Sequence, residues 1–251
     1  MFDAKKEKDK IIEFIRNYYK ENNLGGAVIG ISGGKDSGVV AGLFSEALGP
    51  ENVLGVWLPC KSSEKDHDDA KSVAEKFGFK LITFGLGNVY DTFKSEVNKL
   101  GSFTEQELLN SDLNIKPRLR MASLYYLAAL YSSLKHKTYI VAGTGNKCEI
   151  YVGYFTKGGD GVSDINVVAD LTVDEVIKIG EVIGVPENVL YKRPDDGLSG
   201  MSDEEKLGVT YSDITKVINH EEVDKDVYER IEKLHKNNQH KFNIPIYKKW
   251  E

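Results

Sequence analysis

Apolar positions in this chain follow two alternating rhythms. Over residues 4–22, Ile11, Ile12, Phe14, Ile15, Tyr18 and Tyr19 recur among charged residues at helical spacing, which predicts an amphipathic helix with one buried stripe. Short apolar runs then appear at 27–31, 52–58, 79–84 and 138–142, each of strand length. Helical patterns separate them at 37–48, 64–77, 87–100 and 117–135. Pro117 suits the first turn of the last of these, where its missing N–H does no harm. Strands alternating with helices imply crossover units, so we expect an α/β fold: a doubly wound, mostly parallel sheet with helices on both faces, Rossmann-like in plan. In such sheets ligands bind beyond the carboxyl ends of the strands.

After Ala142 the rhythm changes. Residues 143–164 are rich in glycine and polar side chains and fit no regular element. Helices resume near 172–183, 211–219 and 224–237, while 192–206, with Pro194, Gly197 and Gly200, reads as a mobile loop. No repeat or linker interrupts the chain, and its 251 residues suit a single domain spanning 1–251.

The first strand runs straight into Ser32-Gly33-Gly34-Lys35-Asp36-Ser37, and a helix pattern begins at once. A glycine-rich turn between a strand's end and a helix amino terminus gathers backbone N–H groups around an anion. Adjacent glycines let the backbone approach a phosphate that a Cβ would hold away. The two serines add hydroxyl donors, and Asp36 can hold a cation that bridges phosphate oxygens. The common loop G-x-x-x-x-G-K-[ST] is excluded, because Asp36 stands where serine or threonine should follow the lysine.

Composition narrows the partners. A net charge of −6 argues against a nucleic-acid binder held by phosphate contacts. Two cysteines, Cys60 and Cys148, lie far apart and form no C-x-x-C pair, so neither a zinc ribbon nor a redox couple is expected. The charged first ten residues lack a signal-peptide core and no apolar stretch reaches membrane-spanning length; we expect a cytoplasmic protein with no membrane partner. His67, amid Asp66, Asp68 and Asp69, reads as a solvated helix start rather than a metal site.

The order S-G-G-x-D-S resembles the loop of ATP pyrophosphatases, which split ATP into AMP and pyrophosphate while activating a substrate oxygen. Three further stretches extend the likeness: Asn114 to Met121, Gly143-Thr144-Gly145-Asn146-Lys147-Cys148-Glu149, and Gly153-Tyr154-Phe155-Thr156-Lys157-Gly158-Gly159-Asp160-Gly161 with Asp164 beyond. Together they closely resemble the ammonia-dependent NAD synthetases, over nearly the whole chain down to Gln239-His240-Lys241. The resemblance implies an adenine-nucleotide α-hydrolase-like fold and a two-step reaction with ATP as co-substrate. The nicotinate carboxylate of deamido-NAD attacks the α-phosphate of ATP to give an acyl adenylate and pyrophosphate. Ammonia then displaces AMP and leaves NAD.

Carried over residue by residue, the resemblance implies that Gly30, Ile31, Ser32, Gly33, Gly34, Lys35, Asp36 and Ser37 cradle the ATP phosphates, joined by Thr144. Asp36 and Glu149 would ligate Mg2+. Arg118, Lys157, Asp164, His240 and Lys241 match positions that hold deamido-NAD, with Lys157 also near the chemistry and Arg120 close enough to share the role of Arg118. Tyr18 matches a position that stacks on substrate across a homodimer interface. Two departures stand out: Val173 and Asp195 occupy positions where the family often carries a lysine and a threonine or serine. Lys192 or Lys35 then has to supply the missing charge. No length remains for a glutaminase domain, so free ammonia is the expected nitrogen donor. The rival readings are another ATP pyrophosphatase, such as a tRNA-modifying enzyme, and a nucleotide-binding regulatory protein that has lost catalysis.

Overall fold

Four parallel strands form the centre of the structure, a computed structural model that describes residues 2–60, 64–192, 202–242 and 244–247. They are β1 (Leu24–Gly30), β2 (Val53–Trp57), β3 (Lys80–Thr83) and β4 (Thr138–Ala142), in the spatial order β3-β2-β1-β4. All three pairings are parallel. The helices are α1 (Ala4–Glu21), α2 (Lys35–Leu48), α3 (Glu64–Phe77), α4 (Gly87–Asn98), α5 (Glu105–Lys135) and α6 (Lys147–Val152). They continue with α7 (Val173–Ile183), α8 (Glu187–Leu190), α9 (Asp203–Leu207), α10 (Tyr211–Ile218) and α11 (Lys225–Asn238).

Alternation along β1 divides the core in two. Ala27 and Ile29 point into one cluster with Ile15 of α1, Phe44 of α2, Val73 of α3 and Ile179 of α7. Val28, between them, points to the other face, where Leu54, Val56 and Val141 meet Tyr90 of α4 and Leu127 of α5. Helices therefore cover both faces, as a buried parallel sheet requires. A third cluster lies beside the sheet, joining Cys148 and Val152 of α6 to Val173, Leu207, Tyr211, Ile214 and Ile231.

Two expectations need correction. Pro117 does not begin its helix: α5 starts twelve residues earlier, at Glu105, with Thr104 and Glu107 forming a capping box. The proline removes one i→i−4 bond, but it is buried and Gly159 packs so tightly on it that a Cβ there would lie 3.0 Å from the Pro117 Cβ. The segment 143–164 also holds a regular element. The six-residue α6 is too short for periodicity to reveal, yet Asn146 and Glu149 cap it by the same reciprocal device. Asp195 lies outside the described residues.

Candidate active site

The strand order reverses direction between β1 and β4, and the segments leaving these two strands open a cavity of about 850 Å³ at the carboxyl edge of the sheet. Gly30, Ile31, Ser32, Gly34, Lys35, Asp36 and Ser37 line it from the first segment, Thr144 and Glu149 from the second. Its size sits at the upper end for small-molecule sites.

The glycine loop is shaped from inside and outside. Gly33 has φ +81°, and a Cβ there would meet the Asp66 carbonyl oxygen at 2.6 Å. This residue faces α3 rather than the cavity, which explains why only glycine fits. The serines first serve the loop itself. Ser37 Oγ donates to the Gly34 carbonyl at 3.0 Å and accepts from Ser32 N–H at 3.2 Å, while Ser32 Oγ accepts from Gly34 N–H at 3.2 Å. Gly34 is the N-cap of α2 and has no side chain to cap the first turn, so the helix amino terminus is left as an anion site.

The second loop is organised by Asn146, which is wholly buried. Its Oδ1 accepts from the N–H groups of Cys148 (3.0 Å) and Glu149 (3.1 Å), and its own N–H donates to Glu149 Oε2 at 2.9 Å. Its Nδ2 donates to Asp36 Oδ1 at 3.3 Å. One asparagine, through its side chain and its backbone N–H, thus ties together two carboxylates that lie 113 positions apart in sequence, Asp36 and Glu149. Sequence reasoning passed over Asn146, although the Asn-x-x-Glu spacing of a capping box was the available signal. It also passed over Asp203, buried at the start of α9, whose carboxylate accepts from the hydroxyls of Tyr154 (3.0 Å) and Tyr211 (3.4 Å).

This end of the cavity carries strained electrostatics. Burial, then the charge of Asp36, pushes the Glu149 carboxyl up to about 8, against the Asn146 N–H and Lys35, which favour its ionised form. Lys35 is buried too. Burial alone would lower its pKa, but Asp36, Glu149 and Asp203 outweigh it and the net shift is upward. Its Nζ lies 3.2 Å from Asp36 Oδ2 and 5.7 Å from the centre of the Tyr211 ring. Two converging carboxylates in a buried site, mutually repelling, suit a hard cation. No group of three or more His, Cys, Asp or Glu suited to a metal exists among the described residues. The pair therefore fits an ion that takes its other ligands from phosphates and water, as magnesium does.

Val173 is packed in the cluster of Cys148, Leu207 and Tyr211, so nothing at that position adds charge. Lys192 lines the cavity, with Nζ held between Asp66 and Asp69 at 2.7 Å each. Trp57 also lines it, with His67 stacked on its ring at 4.0 Å between centres; His67 thus has a packing role.

The groups expected at the dinucleotide end form a chain of contacts. Arg118 Nε donates to the Lys157 carbonyl (3.3 Å), and Lys157 Nζ to the His240 carbonyl (2.6 Å). Lys241 Nζ donates to the carbonyls of Gly153 (2.7 Å) and Phe155 (2.8 Å). Among Arg118, Lys157, Asp164, His240, Lys241 and Tyr18, Lys241 alone lines the cavity. Arg120 lines it as well, with Nε on the Leu58 carbonyl at 3.2 Å. Asp164 is engaged elsewhere: its carboxylate accepts from Val141 N–H (2.8 Å) and the Tyr125 hydroxyl (3.1 Å), extending the edge of β4. Tyr18 stacks on Phe14 of the same helix, 6.1 Å between centres.

Comparisons with known proteins bear on the family and the fold. The family model described as NAD synthase matches residues 7–245. The NH(3)-dependent NAD(+) synthetase of Carboxydothermus hydrogenoformans is 37% identical over 238 residues, covering 94% of each chain. Among solved structures, NMN synthetase from Francisella tularensis superposes with a TM-score of 0.89 at 32% identity, covering 100% of both chains. The NH3-dependent NAD synthetase from Campylobacter jejuni, solved with a nitrate ion, gives 0.77 at 26% identity, covering 99% of this chain and 100% of that one.

Proposed function

The chain belongs to the NAD synthase family, and we propose that its cavity performs the ATP-dependent amidation of deamido-NAD with ammonia, giving NAD, AMP and pyrophosphate. It is a ligase acting on small molecules. The observation that carries the reading is the junction of the two loops: a glycine-rich helix amino terminus for phosphates beside a half-buried carboxylate pair joined through buried Asn146. A free carboxylate is a poor electrophile toward ammonia, whereas its adenylate loses AMP readily. The work of the site is to align two anionic substrates and offset charge on the phosphates.

In this reading the N–H groups at the start of α2 hold the triphosphate, with Thr144 approaching from the second strand. Asp36 and Glu149 would hold magnesium, whose charge offsets that of the phosphates. Lys241 and Arg120 face the dinucleotide from the cavity wall, and the Arg118–Lys157–His240 chain stands behind them. Phe14 on α1 and Tyr126, Leu130 and Leu134 on α5 are large exposed apolar side chains. They support a homodimer in which Tyr18 of one subunit reaches the substrate of the other. No helix among the described residues is long and apolar enough to cross a membrane. Two buried cysteines, Cys60 and Cys148, which form no disulfide, suit a reducing, cytoplasmic setting.

One observation favours a second substrate. The superposition on NMN synthetase, 0.89, exceeds that on the Campylobacter enzyme, and the same amidation of nicotinate mononucleotide needs no change at the phosphate end. Purified protein with ATP, magnesium and ammonium should convert deamido-NAD to NAD with release of AMP and pyrophosphate. A larger kcat/KM with nicotinate mononucleotide would transfer the assignment to that substrate. Release of ADP and phosphate would overturn both.

A further inference from the structure

Both oxygens of the Asp36 carboxylate already have partners: Oδ1 takes the Asn146 amide at 3.3 Å and Oδ2 lies 3.2 Å from the Lys35 ammonium. Each oxygen keeps a second lone pair, so the conflict is one of charge: a divalent cation on this carboxylate repels an ammonium 3.2 Å from its Oδ2 and pushes it away. Asn146 cannot leave at low cost. It is wholly buried, and its other amide atom holds two N–H groups of α6. Lys35 can leave, because its ammonium sits on a flexible four-carbon stem and the residue lines the same open cavity.

We propose that Lys35 is the resident counter-cation of the empty site, neutralising the Asp36–Glu149 pair until a divalent cation displaces its ammonium from Asp36 into the cavity. The inference rests on the reading of this pair as the metal site. Two carboxylates held by one asparagine in a largely enclosed site repel each other, and an uncompensated charge there is costly. Asp203 adds a third carboxylate facing the ammonium, and the Tyr211 ring lies on its other side at 5.7 Å. An ammonium built into the loop removes that repulsion in the absence of metal. It also makes the metal compete for the same oxygen, so divalent binding without nucleotide is weak. Once a triphosphate enters, it offers the displaced ammonium new anionic partners. Metal and nucleotide binding are thereby coupled through one side chain.

The test measures Mn2+ affinity by calorimetry without nucleotide, for wild type, Lys35→Met, Lys35→Arg and Asp36→Asn. Lys35→Met should bind Mn2+ about tenfold more tightly than wild type, the scale of one removed competing charge at short range. Lys35→Arg should stay near wild type. Equal affinities for Lys35→Met and wild type, with binding abolished in Asp36→Asn, would overturn the counter-cation role while leaving the carboxylate pair as the metal site. Mn2+ binding retained in Asp36→Asn would remove the pair itself, and the proposal with it. A measurement on the unmodified protein covers the case of a variant that does not fold. Acetylation of Lys35 by acetic anhydride, followed by mass spectrometry, should rise several-fold on saturation with Mn2+, and an unchanged rate would overturn the proposal.

Discussion

The two ends of the cavity are built in opposite ways. At the phosphate end, short segments that follow strands supply the functional groups, and their bonds close within a few residues (Ser32 with Ser37, Asn146 with Glu149) except where the Asn146 amide crosses to Asp36. Lys35, Ser37 and Asn146 are buried there. Surrounding charges outweigh burial to raise the pKa of Lys35, and burial, then charge, raises that of Glu149. At the dinucleotide end, cations come from α5, from the loop after α6 and from the segment after α11, and each is held on a backbone carbonyl far away in sequence. Arg118, Lys157 and His240 are exposed or lie behind the wall. The phosphate end is preorganised for charge that every turnover brings. On the proposed reading, the other end is held in a resting arrangement whose cations would exchange carbonyls for substrate, and it is the end that would tell substrates of different length apart.

The comparison breaks most readily at Asp36. Asp36→Asn should lower kcat about a few hundred-fold, ~3–4 kcal/mol, the scale of a lost stabiliser of phosphate charge. Steady-state rates at saturating substrate with varied magnesium check it, and unchanged rates at limiting magnesium would detach the carboxylate from the phosphate end. Asn146→Ala tests whether preorganisation matters apart from charge. The backbone N–H on Glu149 stays, but Asp36 loses its amide donor and two N–H groups of α6 lose their acceptor, which should cost about 2 kcal/mol, roughly thirtyfold in rate, and raise the magnesium needed for half-maximal activity. A loss of stability with no change in magnesium demand would make Asn146 a cap and nothing more.

At the other end, Lys241→Met should raise the KM for the nicotinate substrate about tenfold, the value of a charge-assisted contact, with the KM for ATP nearly unchanged. Arg118→Met should do less, because its side chain is not on the cavity wall. The reverse ranking would show that the resting arrangement is not the one that binds substrate.

A separate effect is on stability against pH, in protein stripped of metal. Glu149 has its folded pKa raised to about 8 by burial and then by Asp36, above its unfolded value of about 4.3. Between those values the folded state holds more protons than the unfolded state, so stability falls as pH rises across that window. Denaturant midpoints at low and high pH should decline for wild type, and Glu149→Gln should flatten the decline. Equal slopes would place the Glu149 proton outside the linkage.

Much of this was legible beforehand. The four strands were visible because a doubly covered strand is a short apolar run, and α1 was visible because a helix with one buried side repeats every three to four residues. The glycine loop was legible by chemistry, since few uses other than an anion explain adjacent glycines between a strand and a helix. Short elements escaped: α6 and α9 span fewer than two helical turns, too few for a period to show, and only their capping boxes marked them. The start of α5 was misplaced because Pro117 is a strong local signal, which tertiary packing against Gly159 overrode.

By itself, then, the sequence determined what is local: periodicity, turn chemistry, and the residue types at the ends of β1 and β4. Which groups share the cavity was decided by the tertiary structure alone. Asn146 joins Asp36, Lys35 takes the remaining oxygen of that carboxylate, Lys241 lines the wall, and Asp164 turns to Val141 and Tyr125. The physical reason is that hydrogen bonds and ion pairs act over a few ångströms of space, and only the folded sheet brings residues a hundred positions apart within that reach.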